Sequence, residues 1–148
     1  VTGLADGVVI TPFVMPANGA FTLATAASVV TVGLAFVPEL QTLPIDLGEP
    51  TVQGKRKKIT AVDVRVQDTL GLWIGSDSSN LVAMKDLVLG NVGSQTNEVV
   101  TDLVTGDART IIDPTWTVPG QYLIRQPYPL PATILGVIPE ITVGDTPR

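Results

Sequence analysis

The chain has 148 residues, a formal charge of −5 and neither cysteine nor histidine. That length suits one compact domain, or one domain with a small satellite, and lets the chain bury roughly 70% of its unfolded surface without disulfides or metals. The missing residue types exclude disulfides, thiolate chemistry and cysteine- or histidine-ligated metals, and remove the usual general base near neutral pH.

Charged residues make up only 16% of the chain, against roughly 25% in a typical soluble domain. Hydrophobic residues reach 45% with seven aromatics, so the apolar content is mostly aliphatic. This balance points to a surface hidden against other subunits; the plainer alternative is a well-packed sandwich with Thr-rich faces. No apolar run approaches the ~20 residues that cross a bilayer, so no membrane span is expected. The chain opens Val1-Thr2-Gly3-Leu4, without an initiator Met or a basic stretch before an apolar one. It therefore reads as a fragment, a processed product or the ordered part of something longer.

Val, Ile and Thr together supply 49 residues. Such β-branched side chains lose rotamer freedom in helices and pack well on pleated surfaces. The 14 Gly and 12 Pro are spread along the chain and cut it into short segments. The fold expected is all-β with little or no helix: a small N-terminal meander or barrel over residues 1–40, then a β-sandwich-like domain over 41–148.

In chain order, Asp6-Gly7 and Asn18-Gly19 both signal two-residue hairpins. Val8 to Ile10, Phe21 to Leu23 and Val29 to Leu34 are the strands around them. Pro38 to Pro50 reads as an apolar connector lying against protein. From Val62 the chain alternates Val62, Val64, Val66 with Asp63, Arg65, Gln67, the period of a half-buried strand. Asp68 to Gly71 is a turn or bulge, Leu72 to Gly75 resumes the strand, and Asp77 to Asn80 is a polar loop tip. Leu81 to Leu89 fits helix or strand, with strand preferred. Val99 to Val104 and Arg109 to Ile112 suit a hairpin turning at Thr105-Gly106-Asp107. Asp113-Pro114 and Pro119-Gly120 are turns around a short strand through Trp116 and Val118. Gln121 to Gln126 is a strand, Pro127, Pro129 and Pro131 enforce a rigid extended segment, and Thr133 to Ile138 and Ile141 to Val143 are apolar strands.

Lys55, Arg56, Lys57 and Lys58 hold four of the nine basic residues. They could contact phosphate, but without interleaved aromatics they fit better a solvated strand start or a patch docking on an acidic neighbouring subunit. Asp102, Asp107 and Asp113 lie too far apart for a Ca²⁺ loop. No phosphate loop, nucleophile elbow or acid/base pair stands out, so no catalytic, cofactor or metal site is expected and the chain reads as no enzyme. Trp73 and Trp116 are either core residues or interface anchors.

The string Thr51 to Ile59, followed by Val64-Arg65-Val66 and Gly71-Leu72, resembles the C-terminal part of tail nozzle proteins of short-tailed bacteriophages. These are also called tail tubular or packaged-DNA-stabilising proteins. Leu103 to Asp107 and the closing Pro131 to Ile141 carry the same resemblance. The stretch from Leu4-Ala5-Asp6-Gly7 through Leu34 resembles a small β module named after the first catalytic cysteine half-domain of ubiquitin-activating enzymes. With no cysteine to carry a thioester, that likeness cannot extend to ubiquitin chemistry. Full nozzle proteins are several times longer. The resemblance implies a non-enzymatic virion subunit, assembled in the host cytoplasm, that forms a sixfold homo-oligomeric ring around the DNA channel. It would meet other tail proteins (adaptor, spikes or fibres) and pass DNA without reading its sequence. The alternative expectation is a carbohydrate- or receptor-binding β module on a virion or cell surface.

Overall fold

A computed structural model of the protein describes residues 1–48, 50–87 and 102–144. These residues form eleven β-strands and one 3₁₀ turn at Lys85–Leu87, with no α-helix among them. The protein is all-β, its sheets antiparallel throughout.

The first sheet is small: β1 (Thr2–Ala5) lies between β2 (Val8–Ile10) and β3 (Val30–Gly33). Ala5 pairs with Val8, and the two residues between them, Asp6 and Gly7, take φ of 48° and 83°. Positive φ at both central positions is what a type I′ hairpin turn requires. Asp6 has a second task. Its carboxylate accepts the N–H groups of Ser28 at 2.9 Å and Val29 at 2.7 Å, tying the returning chain to the hairpin. Those two N–H groups hold the Asp6 carboxyl below its ordinary range.

Asn18-Gly19 turns without making a hairpin. The Gly19 N–H reaches the Pro16 carbonyl at 2.9 Å, but only Gly19 takes positive φ, and Phe21 to Leu23 form no strand. Instead the Phe13 and Phe21 rings meet at 4.7 Å across the loop.

Two larger sheets follow. One has the order β4 (Glu39–Gln41), β10 (Leu123–Arg125), β6 (Trp73–Gly75), β7 (Leu81–Ala83). In the other, β5 (Lys57–Thr69) lies between β11 (Thr133–Val143) and β8 (Val104–Ile111), and β9 (Trp116–Thr117) pairs with the start of β5. Their facing sides share one core: Val62, Val64 and Val66 of β5 and Ala108 of β8 meet Ile74, Ile124, Tyr122 and Leu72. Met84 and Leu87, on and beside the 3₁₀ turn, complete it.

Two register shifts decide which way β5 faces. Glu140 pairs with Ala61 and Ile141 with Ile59, so Thr60 is an extra residue on β5; Leu135 is the extra residue on β11. Such a bulge resets the two-residue period. Ile59 and Lys57 therefore face inward along with Val62, Val64 and Val66.

Three sequence expectations are corrected. The Pro38 to Pro50 connector contains β4, which pairs with β10. Thr105-Gly106-Asp107 is no turn: Gly106 and Asp107 sit inside β8 opposite Val66 and Arg65, and Val104 pairs with Thr69 beyond an irregularity at Thr105, because the long β5 offers partners along this stretch that a local hairpin would lack. The Val99 to Thr101 part of that hairpin lies outside the described residues. The two closing strands are one, β11, with Pro139 inside it. An edge strand tolerates proline because its N–H side can face away from the ladder.

Replacing Ile74, wholly buried between the sheets, by Ala is expected to cost about 2–5 kcal/mol of unfolding free energy in urea titration. Ile111→Ala, at 75% exposed, is expected to change stability by less than about 0.5 kcal/mol.

Candidate functional site

The basic run is divided by the pleat and the Thr60 bulge. Lys57 is only 1% exposed; its Nζ donates to the Val118 carbonyl at 2.7 Å. The stem packs on Gly120, where φ is +58° and an added Cβ would come within 2.8 Å of Lys57 Cδ. Lys57 is thus a structural residue joining β5 to the Pro119-Gly120 turn, and the expectation that all four basic residues reach a partner or phosphate is corrected. A buried amine must satisfy its hydrogen-bonding capacity inside the protein. Arg56 is exposed, and Lys55 and Lys58 are partly so.

Lys58 pairs across the strands with Trp116 of β9. Gly144 lies against the edge of the Trp116 ring, and its N–H donates to the Arg56 carbonyl at 2.9 Å. One corner of the long sheet therefore gathers a half-exposed indole with Arg56 and Lys58. The sequence separates Trp116 from the basic run by nearly sixty positions, and only the β9–β5 pairing joins them. Trp73 is elsewhere, on β6 of the facing sheet.

The solvent face of the long sheet carries an ion network. Arg65 grips Asp107 with Nε to Oδ1 at 2.7 Å and Nη2 to Oδ2 at 2.8 Å. Arg109 donates to Asp63 at 2.9 Å and reaches across β5 to Glu140 of β11. The arginine partners hold the Asp107 and Glu140 carboxyls below their ordinary values. Asp107, weighed in the sequence as a metal ligand, is spent on Arg65. Ile111, Leu135 and Ile138 stand exposed around these charges.

Two concavities among the described residues stand out. In the N-terminal module a cavity of about 630 Å³ is lined by Val8, Ile10, Phe13, Phe21 and Leu23 among others. A smaller one of about 340 Å³ is bounded by Trp73, Ser78, Ser79, Arg125, Pro127 and Tyr128. Its wall is braced from behind. Buried Gln126 donates to the Leu70 carbonyl at 2.6 Å and accepts from the Tyr128 N–H at 3.2 Å, while Gly71 leaves room for the Tyr128 ring.

Sequence reading missed Asp46. Its carboxylate accepts from Thr51 Oγ1 at 2.9 Å, the Val52 N–H at 3.0 Å and Gln53 Nε2 at 2.9 Å. It thereby folds the loop that delivers the chain to the basic run. An Asp with a Thr five residues on was the available signal, since short polar side chains cap nearby backbone groups. Among the described residues no cluster of three acidic side chains could hold a metal ion, and no helix is long and apolar enough to cross a membrane.

A scan against family models matches none, and a search of curated proteins matches none.

Asp107 and Glu140 have folded-state pKa values below the ordinary 3.8 and 4.5. Their contribution to stability is therefore present above those ordinary values and is lost as pH falls through the lower folded ones. Arg65→Met should return the Asp107 titration midpoint, followed by carboxyl-carbon NMR, to the ordinary carboxylate range and leave Glu140 unmoved.

Proposed function

We propose that the protein is a non-enzymatic structural subunit of a bacteriophage tail, forming a homo-oligomeric ring of the nozzle type around the DNA channel. The observation that carries this reading is the amount of large apolar surface left open among the described residues. Leu34, Phe36, Leu43, Leu135 and Ile138 are all exposed. Single exposed apolar residues are ordinary, but groups of them mark interaction surfaces.

The low charge content and the resemblance of the Thr51 to Ile59 and Pro131 to Ile141 strings to nozzle proteins support the same reading. In such a ring the acidic balance of the chain favours a channel wall that repels phosphates, so that DNA slides without being read. Arg56 and Lys58, beside Trp116, then serve as a docking corner for the next subunit or for an adaptor, spike or fibre protein. The site of action is the virion tail, after assembly in the host cytoplasm.

Light scattering with negative-stain imaging of the purified chain tests this: rings or short tubes are expected, and a monomer at all concentrations would overturn it.

A second reading, binding of a carbohydrate or receptor at a virion or cell surface, draws on the Trp73 cavity. It combines two aromatic rings, two serine hydroxyls and a guanidinium, and among the described residues Arg125 Nε is buried without a hydrogen-bond partner. Aromatic faces with a few fixed polar groups suit a sugar ring. On this reading a glycan array gives reproducible hits that Trp73→Ala abolishes; an array without hits rejects it.

A further inference from the structure

Strand edges differ in how they are defended. A free edge presents unpaired N–H and C=O groups to any passing strand, and proteins blunt it with prolines, bulges, charges or a covering element. In the sheet β4-β10-β6-β7, the β7 end runs into the 3₁₀ turn, whose Leu87 is buried, as is the adjoining Met84. In the long sheet β11 carries Pro139 and a bulge at Leu135. Pro139 pairs with Val62 and has no N–H to offer to either side, so this edge is interrupted at its middle.

β4 is only three residues long, and among the described residues it carries no proline, bulge or covering turn. Its bonded pairs with β10 are set by the Gln126 N–H reaching the Pro38 carbonyl and the Thr42 N–H reaching the Tyr122 carbonyl, with Leu40 opposite Ile124 between them. In an antiparallel ladder bonding alternates, so the N–H and C=O of Glu39 and Gln41 point to the open side. The one charge, Glu39, is paired with Arg125 of β10 at 2.5 Å.

The chain around this edge is apolar. Leu34 is 88% exposed, Phe36 79%, Leu40 49% and Leu43 83%. With Val37 and Leu47, also exposed, this leaves on the order of 600 Å² of apolar side chain, most of the ~800 Å² per partner in a stable interface. The same chain also carries a strand to give: the small sheet ends in β2 and β3, short edge strands bearing exposed Val8 and Val30. An open edge and an undefended strand on one molecule make a heterologous contact that repeats head to tail.

We propose that the β4 edge, with Leu34, Phe36, Leu40 and Leu43, is the surface on which a second copy of this chain adds a strand. The proposal rests on the assembly reading above and names the contact that builds it.

Gln41→Pro removes the N–H that faces the open side while leaving every β4–β10 bond in place; Leu43→Lys puts a charge on the apolar part of the surface. Each variant is followed by sedimentation velocity over a concentration series, with urea unfolding as the check on the fold and Ile111→Lys as the comparison. The expected result is an assembled wild type and an assembled Ile111→Lys. Gln41→Pro and Leu43→Lys should fold with wild-type stability but need at least about tenfold more protein to assemble. An assembled wild type whose Gln41→Pro and Leu43→Lys variants assemble equally well would overturn this surface and leave the ring reading standing. A wild type that stays monomeric would overturn both.

Discussion

Val62, Val64 and Val66 are wholly withdrawn from solvent between the two larger sheets, and the long sheet is built around the strand that carries them. β5 pairs on one side with β11 and on the other with β8 and β9. Three buried valines contribute roughly 1.5–3 kcal/mol each. A slip of one residue would turn all three to water and bring Asp63, Arg65 and Gln67 inside. The pairing of β5 is thus specified by its own alternation, and the ion network on the outer face follows from it. With the valines inward, Arg65 and Asp63 are held outward beside Asp107 and Arg109 of β8.

The Thr60 bulge extends that constraint to the basic run. Carried back from Val62 without interruption, the alternation would send Lys58 inward and Lys57 outward. The extra residue exchanges them. Lys57 enters the interior beneath Gly120, and Lys58 stays on the solvent face beside Trp116. One inserted residue therefore decides which cation is structural and which can meet a partner.

Burial is uneven along the chain. The sandwich shares a continuous core from both sheets, whereas in the N-terminal module only Gly3 is buried over residues 1–37. Three short strands enclose little by themselves. The module is held instead by local chemistry: the Asp6-Gly7 turn, the Asp6 carboxylate on Ser28 and Val29, and the Val1 amino group donating to the Phe13 carbonyl at 2.8 Å. Its cavity and the exposed run that leads to β4 are the surfaces where a neighbour would gain most by packing, since covering them removes apolar area from water.

The sequence by itself determined the β class, the type I′ turn at Asp6-Gly7 and the two faces of Val62 to Gln67. Each depends on residues a few positions apart: β-branched side chains, a turn pair able to take positive φ, and a two-residue alternation. Tertiary structure alone decided that Thr105-Gly106-Asp107 continues β8 instead of turning, that Lys57 is buried and that Trp116 stands beside Lys58. It also decided that the Pro38 to Pro50 stretch contributes an edge strand. Each of these depends on which distant strand lies alongside and in what register, and a bulge at one residue is enough to change the answer. Local pattern carries no record of that partner, because an N–H and a C=O pair equally well with any strand whose register brings them opposite.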